Sequence, residues 1–262
     1  MKAIRTIINY SILVLIILVV ILPFLWILSS SFKSEAEIMG GRTYLPKQFT
    51  LQNYQNLLNS LIVGLGAAVC TVVVSVLAAY SLSRYKNRVS DAIAQTLIFV
   101  YVFPTIVVIV PLFKFLSGIG LADAFPGLVI IETAFSLPFC IWLLRSFFNL
   151  VPISFEEAAL LDGASFFQAF FKTTLPLAAP GIATATIYAF ITSWGEYLFS
   201  SIFVLSDHKK TVPLGLATYM ADQYIEWGKL VAGGVIVIIP VLLLFYPLSR
   251  YFIRGFISGI KE

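Results

Sequence analysis

Charge is what this chain of 262 residues has least of: 11% of its residues are Asp, Glu, Lys or Arg, and 60% are apolar. Ordinary soluble domains carry about 25% charged residues. A soluble globule with this composition could not cover its own core, and a disordered chain would need the opposite balance. Coiled-coil, collagen-like and disulfide-scaffold compositions are excluded as well. Histidine is nearly absent, with His208 alone in a Lys-rich stretch, so a Ser-His-Asp site has no plausible base. Cys70 and Cys140 are the only cysteines, and both lie inside apolar runs. They read as buried free thiols, and no metal-ligand spacing exists. No GxxxxGK[ST] phosphate loop occurs, so ATP hydrolysis is not expected on this chain.

What the chain has instead is long apolar runs. A spanning helix needs about 20 apolar residues, whereas a membrane β-barrel would alternate in segments of about ten. Six helical spans are expected, at about 7–28, 61–82, 92–116, 125–144, 180–205 and 230–252, in one transmembrane domain over 1–262. The first is too long for the apolar core of a signal peptide, about 7–15 residues, and reads as an uncleaved anchor. Six spans put both termini on one side. That side holds Lys2, Arg5, Arg84, Lys86, Arg88, Arg145, Lys172, Arg250, Arg254 and Lys261. The other holds Lys33, Arg42, Lys47, Lys114, Lys209, Lys210 and Lys229. The positive-inside rule then places both termini in the cytoplasm. The net charge of +4 is accounted for by this topology and does not point to nucleic acid.

Between the first two spans, Leu51, Tyr54, Leu57, Leu58 and Leu61 fall on one helical face. That pattern suits an interfacial helix, or a second span that begins early. Pro104, Pro111, Pro138 and Pro240 lie inside spans, where each removes a backbone donor. Gly64, Ala68, Thr71, Ser75 and Ala78 form a small-residue stripe that permits close helix packing. Two carboxylates, Glu132 and Glu196, sit within spans. Such groups line a polar path or are hydrogen-bonded structurally.

The segment 145–179 is the most informative. Ser154 followed by Glu157 has capping-box spacing, and Glu156 and Glu157 suit the first turn of a helix. Gly163 fits the position just past a helix end, where φ is positive. A second capping box, Ser165 with Gln168, follows at once, and Phe166, Phe167, Phe170 and Phe171 are expected on one side of its helix. Two short helices thus meet at a glycine turn, presenting small Ala158 and Ala159. The arrangement suits either force transmission between subunits or a well-ordered loop.

Glu157-Ala158-Ala159, Gly163 and Leu175-Pro176 resemble the EAA loop of importer-type ABC permeases, with Thr173 at a position where that pattern has Ile. The stretches 22–33, 49–54, 78–85, 137–139 and 250–255 resemble the carbohydrate, maltose-type branch of the family. The resemblance implies an all-α integral membrane protein with the type I importer permease fold. It implies an ATPase-coupling surface of Glu156, Glu157, Ala158, Ala159, Asp162 and Gly163. It implies no cofactor on this chain, with ATP and Mg²⁺ held by two cytoplasmic ATPase subunits. The further partners implied are a second permease in a heterodimer, an external solute-binding protein and membrane lipid. A sugar or oligosaccharide path is expected to draw on Glu132, Trp194, Glu196 and Tyr197, and Gly195 stands where relatives often carry an amide. The tail from Gly255 to Glu262 is expected to reach the ATPases. The alternative reading of the residues is a proton-coupled secondary transporter using Glu132.

Overall fold

The computed structural model describes residues 2–40, 43–54, 56–221 and 226–259. Arg42 and residues 260–262, the end of the expected ATPase-reaching tail, lie outside them. The helices in chain order are α1 (Lys2–Ser31), α2 (Glu35–Gly40), α3 (Leu57–Arg84), α4 (Arg88–Val102), α5 (Thr105–Gly118), α6 (Phe125–Leu150) and α7 (Ser154–Leu161). Then follow α8 (Phe166–Ala169), a π-helical turn Phe170–Thr174, α9 (Leu175–Leu177), α10 (Ala179–Trp194), α11 (Leu198–Phe203), α12 (Val212–Ala221) and α13 (Trp227–Gly259). No strand occurs among the described residues. The helices α1, α3, α6 and α13 are each long and apolar enough to cross a membrane. Two bent helix pairs, if each is one span, raise the number to as many as six.

The described residues form two compact units, 1–57 with 212–240, and 58–211 with 241–262. In the first, α1 is apolar and exposed on all sides from Asn9 to Trp26, as a lipid-facing helix is, while Ser30 and Ser31 at its end are buried. The chain after α1 folds back on itself: Asn53 donates to the carbonyls of Ser31 (2.8 Å) and Lys33 (3.0 Å), and Phe32 stacks on Phe49 and Tyr54. These inward bonds explain why the interfacial helix does not form. Only a 3₁₀ turn, Gln52–Tyr54, precedes α3, which starts early at Leu57. Glu35 accepts from the amides of Trp227 (2.9 Å) and Gly228 (2.7 Å), capping α13 from a distant part of the chain.

In the second unit α6 is central, packed against α4, α10 and α11. The small-residue stripe of α3 does what its spacing predicts. Gly64, Ala68, Thr71 and Ser75 are buried, and a Cβ on Gly64 would touch Trp194 and Phe190 of α10. The apolar core joins Val63, Ile109, Leu128, Ile131, Phe199 and Phe203. The third expected span is two helices, because α4 and α5 meet at 95° across Phe103 and Pro104. Pro104 has no N–H to continue the ladder, and it forces extended backbone on the residue before it. Pro138, by contrast, sits inside an unbroken α6. After α5 the loop is tied down by Asp123, which accepts from the amides of Leu205 and Ser206, the Ser206 hydroxyl and Lys209 Nζ. The Ser206 hydroxyl bond, with the others, holds the Asp123 carboxyl well below the usual range.

Candidate functional site

The short helix α7 ends as its sequence predicts. Gly163 has φ +87°, its N–H donates to Leu160 O (3.0 Å), and Ala164 N–H donates to Ala159 O (3.0 Å). This pair of bonds is a Schellman motif, which satisfies carbonyls the helix end would otherwise strand. The second capping box is also present: Gln168 N donates to Ser165 Oγ (3.3 Å) and Ser165 N to Gln168 Oε1 (2.9 Å). A Cβ at Gly163 meets nothing within 4 Å, so the demand for glycine is conformational. Gly163→Val is therefore expected to cost about 1–2 kcal/mol through the left-handed backbone alone, and Gly163→Asn less. Hydrogen exchange across 154–169 measures both, and equal protection in all three proteins would remove the argument.

The first capping box does not form. The helix begins one residue early, with Ile153 at the cap, and no side chain bonds there. Glu157 is exposed, and Glu156 is drawn elsewhere. Glu156 is 8% exposed and is the hub of a polar cluster. Its Oε1 accepts from Arg84 Nε (2.8 Å) and Thr174 Oγ1 (2.7 Å) and lies 2.6 Å from Arg84 Nη2; its Oε2 accepts from Tyr80 (3.0 Å). Arg84 also donates to the carbonyls of Phe148 (3.1 Å) and Val151 (3.4 Å) at the end of α6. Burial works to raise the Glu156 carboxyl, but the bonds from Arg84, Thr174 and Tyr80 outweigh it and hold the group below its ordinary value. Phe170 is buried against Tyr80, ring centroids 4.6 Å apart. One carboxylate thus ties α7 to the ends of α3 and α6 and to the turn before α9.

Glu156 therefore faces inward, unlike the rest of the expected coupling surface. Glu157, Ala158, Asp162 and Gly163 are exposed and Ala159 is half-buried. Beside them Leu161 (89% exposed), Phe166 (76%) and Phe167 (77%) stand open. The four phenylalanines do not share a side: Phe166, Phe167 and Phe171 point out, while Phe170 points in. The π turn at Phe170–Thr174 adds a residue per turn there and changes the facing that a regular helix would give.

Three of the four in-span candidates, Glu132, Trp194 and Glu196, make contacts within the fold. Glu132 is 3% exposed, lies between α6 and α10 and accepts from the Ser193 hydroxyl. Trp194 is buried and stacked on Phe190, 5.3 Å apart. The fifth expected span breaks at Gly195, a poor helix former. Glu196 then accepts from the amides of Phe199 (2.7 Å) and Ser200 (3.1 Å), capping α11. Tyr197 alone of the four is exposed. No cluster of three or more metal-ligating side chains occurs among the described residues.

The partners of Glu156 were not visible as a site in sequence, since Arg84 and Tyr80 lie more than seventy residues away. The basic residue ending a span, four positions after a tyrosine, is the one available hint. A third group is equally unmarked: Tyr101, Phe139, Trp142 and Tyr188 form a ring cluster where α4, α6 and α10 meet.

A family model described as the binding-protein-dependent transport system inner membrane component matches residues 71–258. The inner membrane ABC transporter permease protein YcjP of Escherichia coli is 34% identical, over 96% of this chain and 95% of its own. The diacetylchitobiose uptake system permease protein NgcG of Streptomyces coelicolor is 35% identical, over 93% and 84%. A chain of a bacterial ABC transporter that imports the acidic polysaccharide alginate superposes with a TM-score of 0.69 at 25% identity, over 96% of this chain and 97% of that one.

Proposed function

This chain belongs to the family of binding-protein-dependent transport system inner membrane components, the permease subunits of ATP-driven importers, and on that premise we propose how it works and what it carries. Its cargo is a sugar or oligosaccharide. The diacetylchitobiose permease and the alginate importer, each alike over most of the chain, support that class. ATP and Mg²⁺ bind on two ATPase subunits at the cytoplasmic face, and this chain supplies no catalytic group. The other partners are a second permease chain, paired as a heterodimer, and an external solute-binding protein. Both termini lie in the cytoplasm, in keeping with the arginines and lysines around Arg84 and Arg145.

One observation carries the mechanism: α7 is closed by its own Schellman motif and pinned through Glu156 to α3 and α6. Glu157, Ala158, Leu161 and the exposed phenylalanines then form the surface seated on an ATPase, where small side chains allow close approach. Movement of that surface cannot be absorbed by α7 alone. It is passed to Arg84 and to the carbonyls of Phe148 and Val151, and so to the spans behind them. The proton-coupled alternative is not retained, because the chain belongs to an ATP-driven family and Glu132 is paired with Ser193 inside the fold.

A mild-detergent pulldown from the native membrane tests the whole reading. An ATPase, a second permease and a binding protein with a retained carbohydrate are expected together. Recovery of the chain alone, from a fraction that still transports without ATP, would overturn it.

A further inference from the structure

The face of α10 carries a hydroxyl at every fourth position, Thr184, Tyr188 and Thr192, one above another along the helix. Thr192 is exposed, and the other two are half-buried. Tyr188 Oη donates to Tyr101 Oη (3.3 Å), and Thr192 lies 3.5 Å from Ser136 Oγ of α6. Phe139 packs against both tyrosine rings, 4.2 Å from that of Tyr188 and 5.4 Å from that of Tyr101. Trp142 follows at 6.0 Å, and Tyr101, Phe139 and Trp142 border a cavity of about 210 Å³ with Ile98 and Pro138, beside which Tyr188 and Thr192 lie outside the lining.

This is a poor surface to turn toward lipid. Two phenols bonded to each other share one proton and leave a donor and several lone pairs unspent. In hydrocarbon each unspent group costs free energy, because no water is present to meet it. Tyrosines that anchor a helix sit at the membrane interface, whereas Tyr188 is nine residues into α10, about 14 Å along it. The second sign is the backbone. The α4–α5 break at Phe103 and Pro104 lies two residues from Tyr101, and both residues are exposed. Non-helical backbone at membrane depth is tolerated where it is buried in protein or lines a water-filled cavity. Flat rings with hydroxyls at their edges match one class of solute. A pyranose offers an apolar C–H face to a ring and a rim of hydroxyls that donate and accept.

We propose that Tyr101, Phe139, Tyr188 and Thr192 are this chain's share of the translocation path, contacting a pyranose ring by stacking and by the phenol hydroxyls. The proposal rests on the importer reading above. It moves the path away from Glu132, Trp194 and Glu196, which the fold employs in packing and capping.

The test uses the complete importer in membrane vesicles, with Cys70→Ser to remove the native thiol that, contrary to the burial expected from its apolar run, is exposed. Tyr188→Cys, and Thr192→Cys as a milder second variant, are treated with a charged, water-borne methanethiosulfonate reagent. Val73→Cys, an exposed aliphatic position of α3, is the control. Modification of the α10 cysteines at least about tenfold faster than the control is expected, since thiolate chemistry requires water. Rates equal to the control would mean that the stripe faces lipid and would overturn the proposal. Uptake of diacetylchitobiose and trehalose is then compared between wild type and Tyr188→Phe. A fall of about tenfold, with ATPase stimulation retained, is expected from the lost hydroxyl. Fast labelling with unchanged sugar uptake in Tyr188→Phe and Tyr188→Ala would leave a water-filled wall without a sugar contact, and the proposal fails. A wild-type importer that hydrolyses ATP and takes up no carbohydrate fails at the earlier reading instead, whatever the labelling rates.

Discussion

Replacing Glu156 by alanine is expected to cost about 3 kcal/mol and to leave ATP hydrolysis running without uptake. The size follows from what is left behind. Arg84 remains at the junction of α3, α6 and α7, its side chain only 11% exposed and its charge unanswered, and Tyr80 and Thr174 each lose an acceptor. Removing one partner of a buried pair is far costlier than removing both. Arg84→Met with Glu156→Leu is therefore expected to regain most of the thermal stability and none of the coupling. Thermal unfolding of the purified complex measures the first effect, and the ratio of sugar moved to ATP hydrolysed measures the second. A double variant that transports normally would show that the linkage is structural only. The same carboxylate sets an acid limit. Its value is held below the ordinary one, so its contribution is full above the usual carboxylate range. It is lost as pH falls through the depressed value. Wild type should lose stability over that acidic window, and Glu156→Ala should lack this limb of the curve.

The parts that local sequence governs were legible. Gly163 at positive φ, the Ser165–Gln168 box and the buried face of α3 from Gly64 to Ser75 each depend on residues within a few turns, and each is present. The departures from expectation have different causes, some far along the chain and some close by. Ser154 and Glu157 have the spacing of a cap, but Glu156 beside them is held by an arginine seventy-two residues earlier, and this fixes the turn differently. Glu196 was expected to lie within a spanning helix that continues past it. Once Gly195 ends α10, the same carboxylate meets the open amides of α11. Pro104 was visible as a missing donor, but nothing in its neighbours gives a bend of 95° rather than the unbroken passage that α6 makes through Pro138. Tyr101, Phe139 and Tyr188 come from three separate helices, and only packing brings their rings together.

Gly181→Val is expected to be a severely damaging change in the membrane-spanning part, at about 3 kcal/mol or more, the upper end for overpacking. A Cβ at Gly181 would lie 2.7 Å from both Cβ and Cδ2 of Phe147 on α6. A ring atom can swing away, but a Cβ moves only with its backbone, so α10 must separate from α6. The position makes this costly for function as well as for stability. Gly181 opens α10 directly after the 75° bend that follows Leu177, so it joins the coupling turn to the span carrying Thr184, Tyr188 and Thr192. A displaced start to α10 would carry the whole hydroxyl face with it and loosen the Glu132–Ser193 contact higher up. Phe147→Ala removes the ring but keeps the offending Cβ, so pairing it with Gly181→Val should recover only part of the loss. Pairing Phe147→Gly with Gly181→Ala should recover more, because only that exchange returns the space a Cβ needs, despite the poorer helix propensity of glycine. Thermal unfolding and uptake of the two double variants distinguish them. Equal recovery by both would mean that the ring of Phe147, and not close approach of the two helix backbones, is what requires glycine at 181.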